Sequence, residues 1–467
     1  MSYDGASFSN VHSNTNWYAE NLPAAWADAG ERDVLRARAR DLERNSDVMN
    51  AIVGAFKRNV YGAGFRLRST VESEELREEI ERAWEIWCKK ENCDVTGTQS
   101  FDSLMRMAIR RKKVDGGILI LKTHTAGGFL PFKLQALEVD ALDETAVAHG
   151  NNKVIGGIEY DIYNKAVGYH IKQFAPDGFT ETETKFYQAK DVIFYFTKNR
   201  PTQLREVSDL AATITRVRDI NEFMRSLAVK ERLLACLSVF IKRDSPPTTG
   251  RGYGSVDDGY MGKMISPGTI NYLSPGDDIS VVQPNMQATD ATAHIKQQIR
   301  MLGSGQGLSY ELASRDMSET NYSSARQGAI EDDLTFEEER QQLKDVMDEI
   351  FEEFIKALYL SGKLSDGRPA DGSFWEKNRY EYSRHTWIKA PKKWIDPAKE
   401  AAANKDALLT GQKTFADMAA ENGKDWKEQL EEMAKIQNYA AELNVDLVGQ
   451  LLGARKEEEE GDEKDEE

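Results

Sequence analysis

The stretch LREVSDLAATITRVRDINEFMRSLAVKERLLACL, residues 204–237, decides the fold. It contains neither glycine nor proline, so it predicts one uninterrupted helix about 50 Å long at 1.5 Å per residue. The apolar residues of this helix recur near a period of 3.5 and form a seam, with Asn221 at an intervening seam position: Leu210, Ile214, Val217, Met224 and Leu227. Such a seam packs against neighbouring helices; a long helix in the core of a single chain is the alternative interpretation.

A small lobe and a returning helix are expected after this stretch. Residues 245–262 are rich in Gly, Pro and Asp, and residues 265–282 predict short strands separated by Pro-Gly turns. A second helix is expected from an N-cap at Asp290 to a stop at Gly303. Helix, lobe and helix together indicate a hairpin-like projection.

The segment GSGQGLSYELASRDMSETN, residues 303–321, predicts a glycine-rich hinge followed by a polar loop. Residues 323–360 predict a very long helix, about 57 Å if straight. Asp396 and Pro397 predict the N-cap and first position of a further helix. Two more helices are expected, one opened by Thr414 and one over residues 425–443.

The region before residue 204 predicts a mixed domain that ends near Arg200. Amphipathic helices are expected over residues 76–87 and 104–113. Short apolar or alternating segments predict five strands, over residues 118–121, 132–137, 155–160, 168–174 and 192–196. The fold class is therefore α+β and predominantly helical.

The charge balance is acidic and uneven. Lys and Arg number 61 against 78 Asp and Glu, a formal net charge of −17. Residues 455–467 carry nine acids and three bases with no apolar residue, so this tail is expected to be disordered. The rest of the chain is still acidic, which argues against a simple basic nucleic-acid binder.

Other compositional features narrow the class of protein. No apolar run approaches the roughly 20 residues of a membrane span, and the polar first 16 residues do not resemble a secretory signal. The three cysteines cannot form a disulfide framework and are interpreted as thiols of a reducing compartment.

Catalytic motifs were not found. The glycine-rich segment lacks the Gly-Lys-Ser/Thr of a phosphate-binding loop, and Gly-x-Ser-x-Gly is missing. The six histidines are scattered, without H-E-x-x-H or a paired metal spacing. We therefore predict no catalytic residue, no metal ligand and no cofactor.

Three charged segments have alternative interpretations. Residues 110–113 (RRKK) are interpreted as a solvated helix end, with a phosphate or partner contact as the alternative. Residues 337–339 (EEE) are interpreted as a solvated helix face, with a two-metal carboxylate cluster as the alternative. Lys296 and Arg300 share one helix face, where they either contact phosphate in a cavity or are ordinary surface charges.

Several motifs, in order along the chain, resemble the lambda-family bacteriophage portal protein. The N-terminal ones are RARARDLERN at 36–45 and NVYGAG at 59–64, and the central one is PGTINYLSPGDDI at 267–279. GLSYEL at 307–312, DMS at 316–318 and NYSSAR at 321–326 resemble the most specific block. WIDPAKE at 394–400 resembles a C-terminal one.

The resemblance implies a ring, usually a dodecamer, at one capsid vertex, with a channel through which DNA is packaged and ejected. It assigns residues 1–203 to the N-terminal region and wing, 204–238 and 289–303 to two stem helices, and 239–288 to the clip between them. Residues 304–322 would be the tunnel loop. Residues 323–395 would be the long wing helix and its return, 396–452 the helical crown, and 453–467 the acidic tail.

The resemblance also implies partners and candidate site residues. Double-stranded DNA, the terminase large subunit, head-tail connector or adaptor proteins and the major capsid protein are expected partners, with no membrane. The protein would lie in the virion, and in the host cytoplasm during assembly. The channel candidates are Lys296, Arg300, Ser309, Arg315, Asp316, Ser318 and Asn321. The clip candidates are Tyr253, Tyr260, Tyr272 and Leu273.

Two other classes of protein stay open at the level of sequence. A nucleic-acid-processing enzyme such as a nuclease would need a carboxylate or histidine cluster that the motifs do not contain. A non-phage oligomeric scaffold would share the helical seam. A ring with a central channel distinguishes the portal interpretation from both.

Overall fold

The computed structural model describes residues 19–174, 181–235, 239–243, 277–281, 288–318, 320–364, 371–390, 397–424, 426–443 and 445. Most of the expected lobe and the acidic tail lie outside these residues. Within them, no helix is both long and apolar enough to cross a membrane.

Long helices and antiparallel strands confirm the predicted α+β, predominantly helical class. In chain order the elements are α1 Ala24–Ala29, α2 Arg32–Asn45, α3 Asp47–Val60, β1 Phe65–Ser69, α4 Glu74–Trp87, α5 Lys90–Cys93, α6 Phe101–Asp115, β2 Gly117–His124, β3 Phe132–Leu137, β4 Lys153–Ile155, β5 Ile158–Tyr160, β6 Ala166–Phe174, β7 Glu181–Gln188, β8 Val192–Phe196, α7 Ile214–Ala235, β9 Val239–Arg243, β10 Asp277–Val281, α8 Ala288–Gly305, α9 Tyr310–Ser314, α10 Tyr322–Leu360, α11 Gly372–Tyr382, β11 His385–Lys389, α12 Pro397–Leu409, α13 Phe415–Glu421 and α14 Trp426–Glu442.

The chain divides into two compact units. The first contains Met1–Val60, Met107–Ile120 and Ala136–Gln341. The second contains Tyr61–Arg106, Leu121–Gln135 and Gln342–Glu467.

An antiparallel sheet in the order β4-β5-β6-β7 lies in the first unit. The single strand expected over residues 155–160 is wrong. Gly156 and Gly157 have φ of 56° and 81°, so they form a two-residue turn between β4 and β5, and Ile155 pairs with Ile158. Strand β7 was not expected, because its largely exposed sequence ETETKFYQ lacks apolar alternation.

A buried charge network holds residues 204–213 outside the helix. Arg205 Nε donates to Glu206 Oε2 at 2.7 Å, and Arg36 Nη1 donates to Glu206 Oε1 at 3.2 Å. Gly116, at φ 90°, allows the backbone to pass so closely that an added Cβ would lie 2.4 Å from the carbonyl carbon of Val207. The prediction of one helix over 204–237 is therefore wrong at its start, and α7 begins at Ile214.

The basic residues 110–113 are not a solvated helix end. Lys112 and Lys113 are buried, and their ammonium groups lie 3.3 and 3.1 Å from Asp209 Oδ2 and also pair with Glu339. Arg110 and Arg111 pair with Glu43, a single carboxylate on α2. The interpretation of 337–339 as a solvated face is accordingly wrong for Glu339.

An aromatic core lies in the second unit. The predicted face of α4 is confirmed, since Ile80, Ala83, Trp84 and Trp87 are buried. The Trp84 ring meets five other rings at centroid distances of 5.0–5.7 Å, those of Trp87, Phe101, Phe351, Phe354 and Trp387. Strand β11, which was not expected, pairs antiparallel with β1.

The predicted ends of the helices near the C-terminus agree with the structure better than the predicted ends of α8 do. Pro397 is the first residue of α12, and Thr414 caps α13 in a capping box with Asp417. Asp290 is not an N-cap, because α8 already begins at Ala288. Gly303 does not end α8 either, which continues to Gly305.

Candidate functional site: the α7–α8 helix pair and residues 303–321

Helices α7 and α8 pack against each other in antiparallel directions. Arg216 Nη1 donates to Gln298 Oε1 at 2.8 Å. Seven residues later on α7, the ring of Phe223 meets that of His294, which precedes Gln298 on α8, at 5.2 Å. The chain therefore leaves along α7 and returns along α8, as expected for a helical hairpin.

The seam of α7 is buried only in its first turns. Ile214 and Val217 are 6% and 0% exposed, whereas Met224 of the seam is 46% exposed, and Val229, which is not a seam residue, is 49% exposed. Leu210 is buried as well, but it precedes the helix. The outer part of α7 thus presents apolar side chains that the described residues of this chain leave half exposed.

The segment 303–321 is more ordered than the expected polar loop. Its first residues belong to α8, and the short helix α9 occupies its middle. Gly303 is buried, and a Cβ there would lie 2.7 Å from the carbonyl oxygen of Leu308. Gln306 Nε2 donates to the backbone oxygen of Asp209 at 3.2 Å. The glycines here therefore allow close packing at the end of α8.

Hydrogen bonds from Ser309 link this segment to α10. Its hydroxyl donates to Asp332 Oδ2 at 2.7 Å and accepts the amide of Leu312 at 3.3 Å, which caps α9. Its own amide donates to Asp332 Oδ1 at 2.6 Å. This channel candidate is therefore placed as a structural cap.

Most of the described residues after α9, at 315, 317, 318 and 321, are exposed. Arg315 ends α9 in the left-handed conformation at φ 61°. The Ser318 amide donates to Asp316 Oδ1 at 3.0 Å, and hydrogen bonds from Ser318 hold the pKa of Asp316 below its usual value. Asn321 Oδ1 accepts the Ser324 amide at 2.9 Å at the start of α10. Met317, which the sequence interpretation did not select, is 59% exposed.

The two basic candidates on α8 lie beside this exposed turn. The Arg300 guanidinium lies over the Tyr310 ring, 5.2 Å from its centroid. The Tyr310 hydroxyl donates to Asp316 Oδ2 at 3.3 Å, and the charge of Lys296 also helps to lower the pKa of Asp316. The structure thus brings Lys296, Arg300 and Asp316 together, while the clip candidates Tyr253, Tyr260, Tyr272 and Leu273 lie outside the described residues.

Comparison with known proteins gives the family. The sequence model described as "Phage portal protein, lambda family" matches residues 12–340, well over half of the chain. The chain belongs to the lambda family of phage portal proteins. This confirms the resemblance seen in the motifs, and it makes the chain a structural portal protein.

Similarity to individual proteins is low in sequence identity but extends over most of each chain. The "Probable portal protein" of Halomonas phage phiHAP-1 is 25% identical over 414 residues, which cover 85% of this chain and 78% of that protein. "Portal protein B" of Escherichia phage lambda is 21% identical over 437 residues, covering 84% and 81%. A chain in the neck of an empty gene transfer agent particle is similar at 14% identity and a TM-score of 0.46, covering 85% and 94%.

Proposed function

We propose that copies of this chain form a closed ring, a dodecamer, around a channel through which double-stranded DNA enters and leaves a capsid. In this ring α7 and α8 are the stem helices, residues 239–288 the clip, and residues 315–321 the part of the tunnel loop that faces DNA. The first unit's sheet belongs to the wing, and α12–α14 to the crown.

The observation that carries this proposal is the uncovered apolar surface of α7. Met224 and Val229 are about half exposed on a helix whose polar partners within the chain are already formed. Exposed apolar side chains such as these favour burial against another copy, and identical copies repeat the contact until the ring closes.

The negative net charge of the chain supports a channel that does not bind DNA tightly. Each Lys or Arg that contacts a phosphate releases counterions and strengthens binding. A net charge of −17 and the Asp316 carboxylate in the exposed turn would keep such contacts few. The adjacent Lys296 and Arg300 would supply a limited number of basic positions.

Partners and location follow from the family and from the position of residues 239–288 between α7 and α8. The clip would bind the terminase large subunit during packaging and then the head-tail connector or adaptor proteins. The major capsid protein would surround the ring at one vertex of the virion, after assembly in the host cytoplasm. No catalytic role is assigned to the chain.

A clip variant tests the docking role. Tyr272→Asp with Leu273→Asp should block packaging or tail joining in particles whose portal rings still form. The matched control places the same two acids at Ile162 and Tyr163, which are 78% and 82% exposed in the first unit. Normal virion yield from the clip variant would contradict this assignment, provided that rings of that variant are seen by negative stain.

A further inference from the structure

Three potential ligand side chains meet on and beside the four-stranded sheet of the first unit. Glu159 lies on β5 opposite Gly168 of β6, so His170, two residues further on, points to the same face. His149 reaches the same point from the turn before β4. Its Nδ1 lies 2.8 Å from Glu159 Oε2, and His170 Nε2 lies 3.2 Å from that oxygen.

The carboxylate of Glu159 is held in place. Glu159 is 1% exposed, and Asn152 Nδ2 donates to its second oxygen at 2.6 Å. A buried carboxylate with two imidazoles on one of its oxygens is a preorganised set of ligands.

Packing fixes the two imidazole rings. They stack on each other at 5.4 Å with an interplanar angle of 7°. The Phe186 ring on β7 packs against His149 at 4.9 Å and His170 at 5.1 Å. Gly168 leaves room for that ring, because a Cβ there would lie 2.1 Å from Phe186 Cζ.

We propose that His149, Glu159 and His170 form a binding site for a divalent transition metal of the Zn²⁺ class. Two imidazole nitrogens and one carboxylate oxygen suit Zn²⁺, whereas Mg²⁺ and Ca²⁺ require mostly oxygen ligands. The three ligand atoms lie within 4.8 Å of one another. Tetrahedral zinc would separate its ligand atoms by about 3.3 Å, so small side-chain shifts suffice.

The exposed side chain of His149 leaves a path by which an ion can enter and a coordination position that water can fill. The side chain of His149 is 65% exposed, whereas those of His170 and Glu159 are 6% and 1% exposed. An ion can therefore approach from the His149 side, where water can complete its coordination. Bound metal would tie the turn before β4 to strands β5 and β6, which makes this a structural site in the first unit.

Equilibrium dialysis of the untagged full chain tests the site. Protein stripped with a chelator is dialysed against micromolar Zn²⁺ or Mg²⁺, and bound metal is measured by inductively coupled plasma mass spectrometry. We expect one tightly held Zn²⁺ per chain and no Mg²⁺. Wild-type protein that retains no Zn²⁺ would overturn the proposal, and the three residues would then be a hydrogen-bonded cluster only.

Variants assign the metal to these residues. His149→Ala should keep the fold, because this side chain is largely exposed, and should weaken Zn²⁺ binding on the order of 10-fold or more. The control His124→Ala removes another exposed imidazole and should bind as wild type. Wild-type affinity in His149→Ala would overturn the assignment. Glu159→Gln, which keeps the shape of the buried side chain, should also lose binding.

Discussion

Arg216 of α7 donates a hydrogen bond to Gln298 of α8 across 2.8 Å, and this contact joins the two helices on either side of residues 236–287. A charged donor makes a stronger bond than a neutral one, and the Phe223–His294 ring contact adds to it. The helix pair is therefore formed within one chain. Its outward apolar residues remain available to a second copy.

Charges on the outer part of α7 should prevent assembly without unfolding the chain. Met224→Glu with Val229→Glu places two carboxylates at half-exposed positions, so the secondary structure by circular dichroism should not change. An unpaired carboxylate buried between copies costs more than about 1.4 kcal/mol, so we expect the ring fraction to fall by about tenfold or more. Analytical ultracentrifugation measures that fraction.

The matched control for this prediction is Ile162→Glu, which adds a carboxylate at a position 78% exposed in the turn between β5 and β6. It should assemble as wild type. Unchanged rings in the Met224 and Val229 double variant would show that the outer part of α7 is not an interface.

Removing the Ser309 hydroxyl should loosen the start of the tunnel-loop segment. Ser309→Ala loses both the α9 cap and the hydrogen bond to Asp332. A lost cap costs about 1 kcal/mol, so exchange of the Leu312 amide should accelerate about fivefold by hydrogen-exchange mass spectrometry. Ser324→Ala, an exposed serine on α10, is the control. Equal exchange in all three proteins would refute the role of Ser309.

The buried Glu339 should make stability depend on pH. Burial raises its pKa, but Lys113 and Lys112 lower it by more, so the folded pKa lies below the ordinary value for Glu. The stabilisation is thus present above the unfolded pKa of about 4.3 and is lost as pH falls through the folded value.

Glu339→Gln tests this dependence. It leaves two buried ammonium groups with Asp209 as their one carboxylate partner among the described residues, so it should cost about 3 kcal/mol at pH 7 and flatten the loss of stability in acid. Thermal unfolding from pH 7 down to pH 3 measures both effects. Glu338→Gln, at an exposed position on the same helix, should change neither. A Glu339 variant as stable as wild type at pH 7 would contradict the account.

The exposed turn after α9 should affect DNA retention. Replacing residues 316–318 by glycines removes the Asp316, Met317 and Ser318 side chains but leaves the Ser309 cap intact. We expect normal rings with less DNA retained in particles, because these exposed side chains would narrow the channel. Glycines at residues 162–164 are the control, and packaged DNA length and leakage are the measurement. Full-length genomes held as firmly as in wild type would exclude this gating role.

Sequence reasoning succeeded where local pattern and tertiary packing agree. The face of α4 and the Thr414 cap of α13 follow from spacing alone, and both are confirmed. It failed at residues 204–213, whose composition favours a helix. Buried ion pairs of Arg205 and Glu206, and the close approach of the Val207 backbone to Gly116, hold these residues in a non-helical conformation. The Gly156-Gly157 dipeptide was an available turn signal for the β4–β5 hairpin.

The candidate site was predictable only in part. The helical hairpin and its loop were expected, but the Ser309–Asp332 link joins residues 23 apart and has no local signature. His149, Glu159 and His170 meet through the register of β5 and β6, which linear spacing does not give. The burial of Lys112 and Lys113 likewise depends on Asp209 and Glu339, which are distant in sequence.

Imaging of the purified full chain by negative stain, together with its mass by light scattering, tests the central claim most directly. The account predicts closed rings with a central channel and a mass about twelve times that of the 52.7 kDa chain. A single species of 52.7 kDa at micromolar concentration, with no ring in the images, would contradict it.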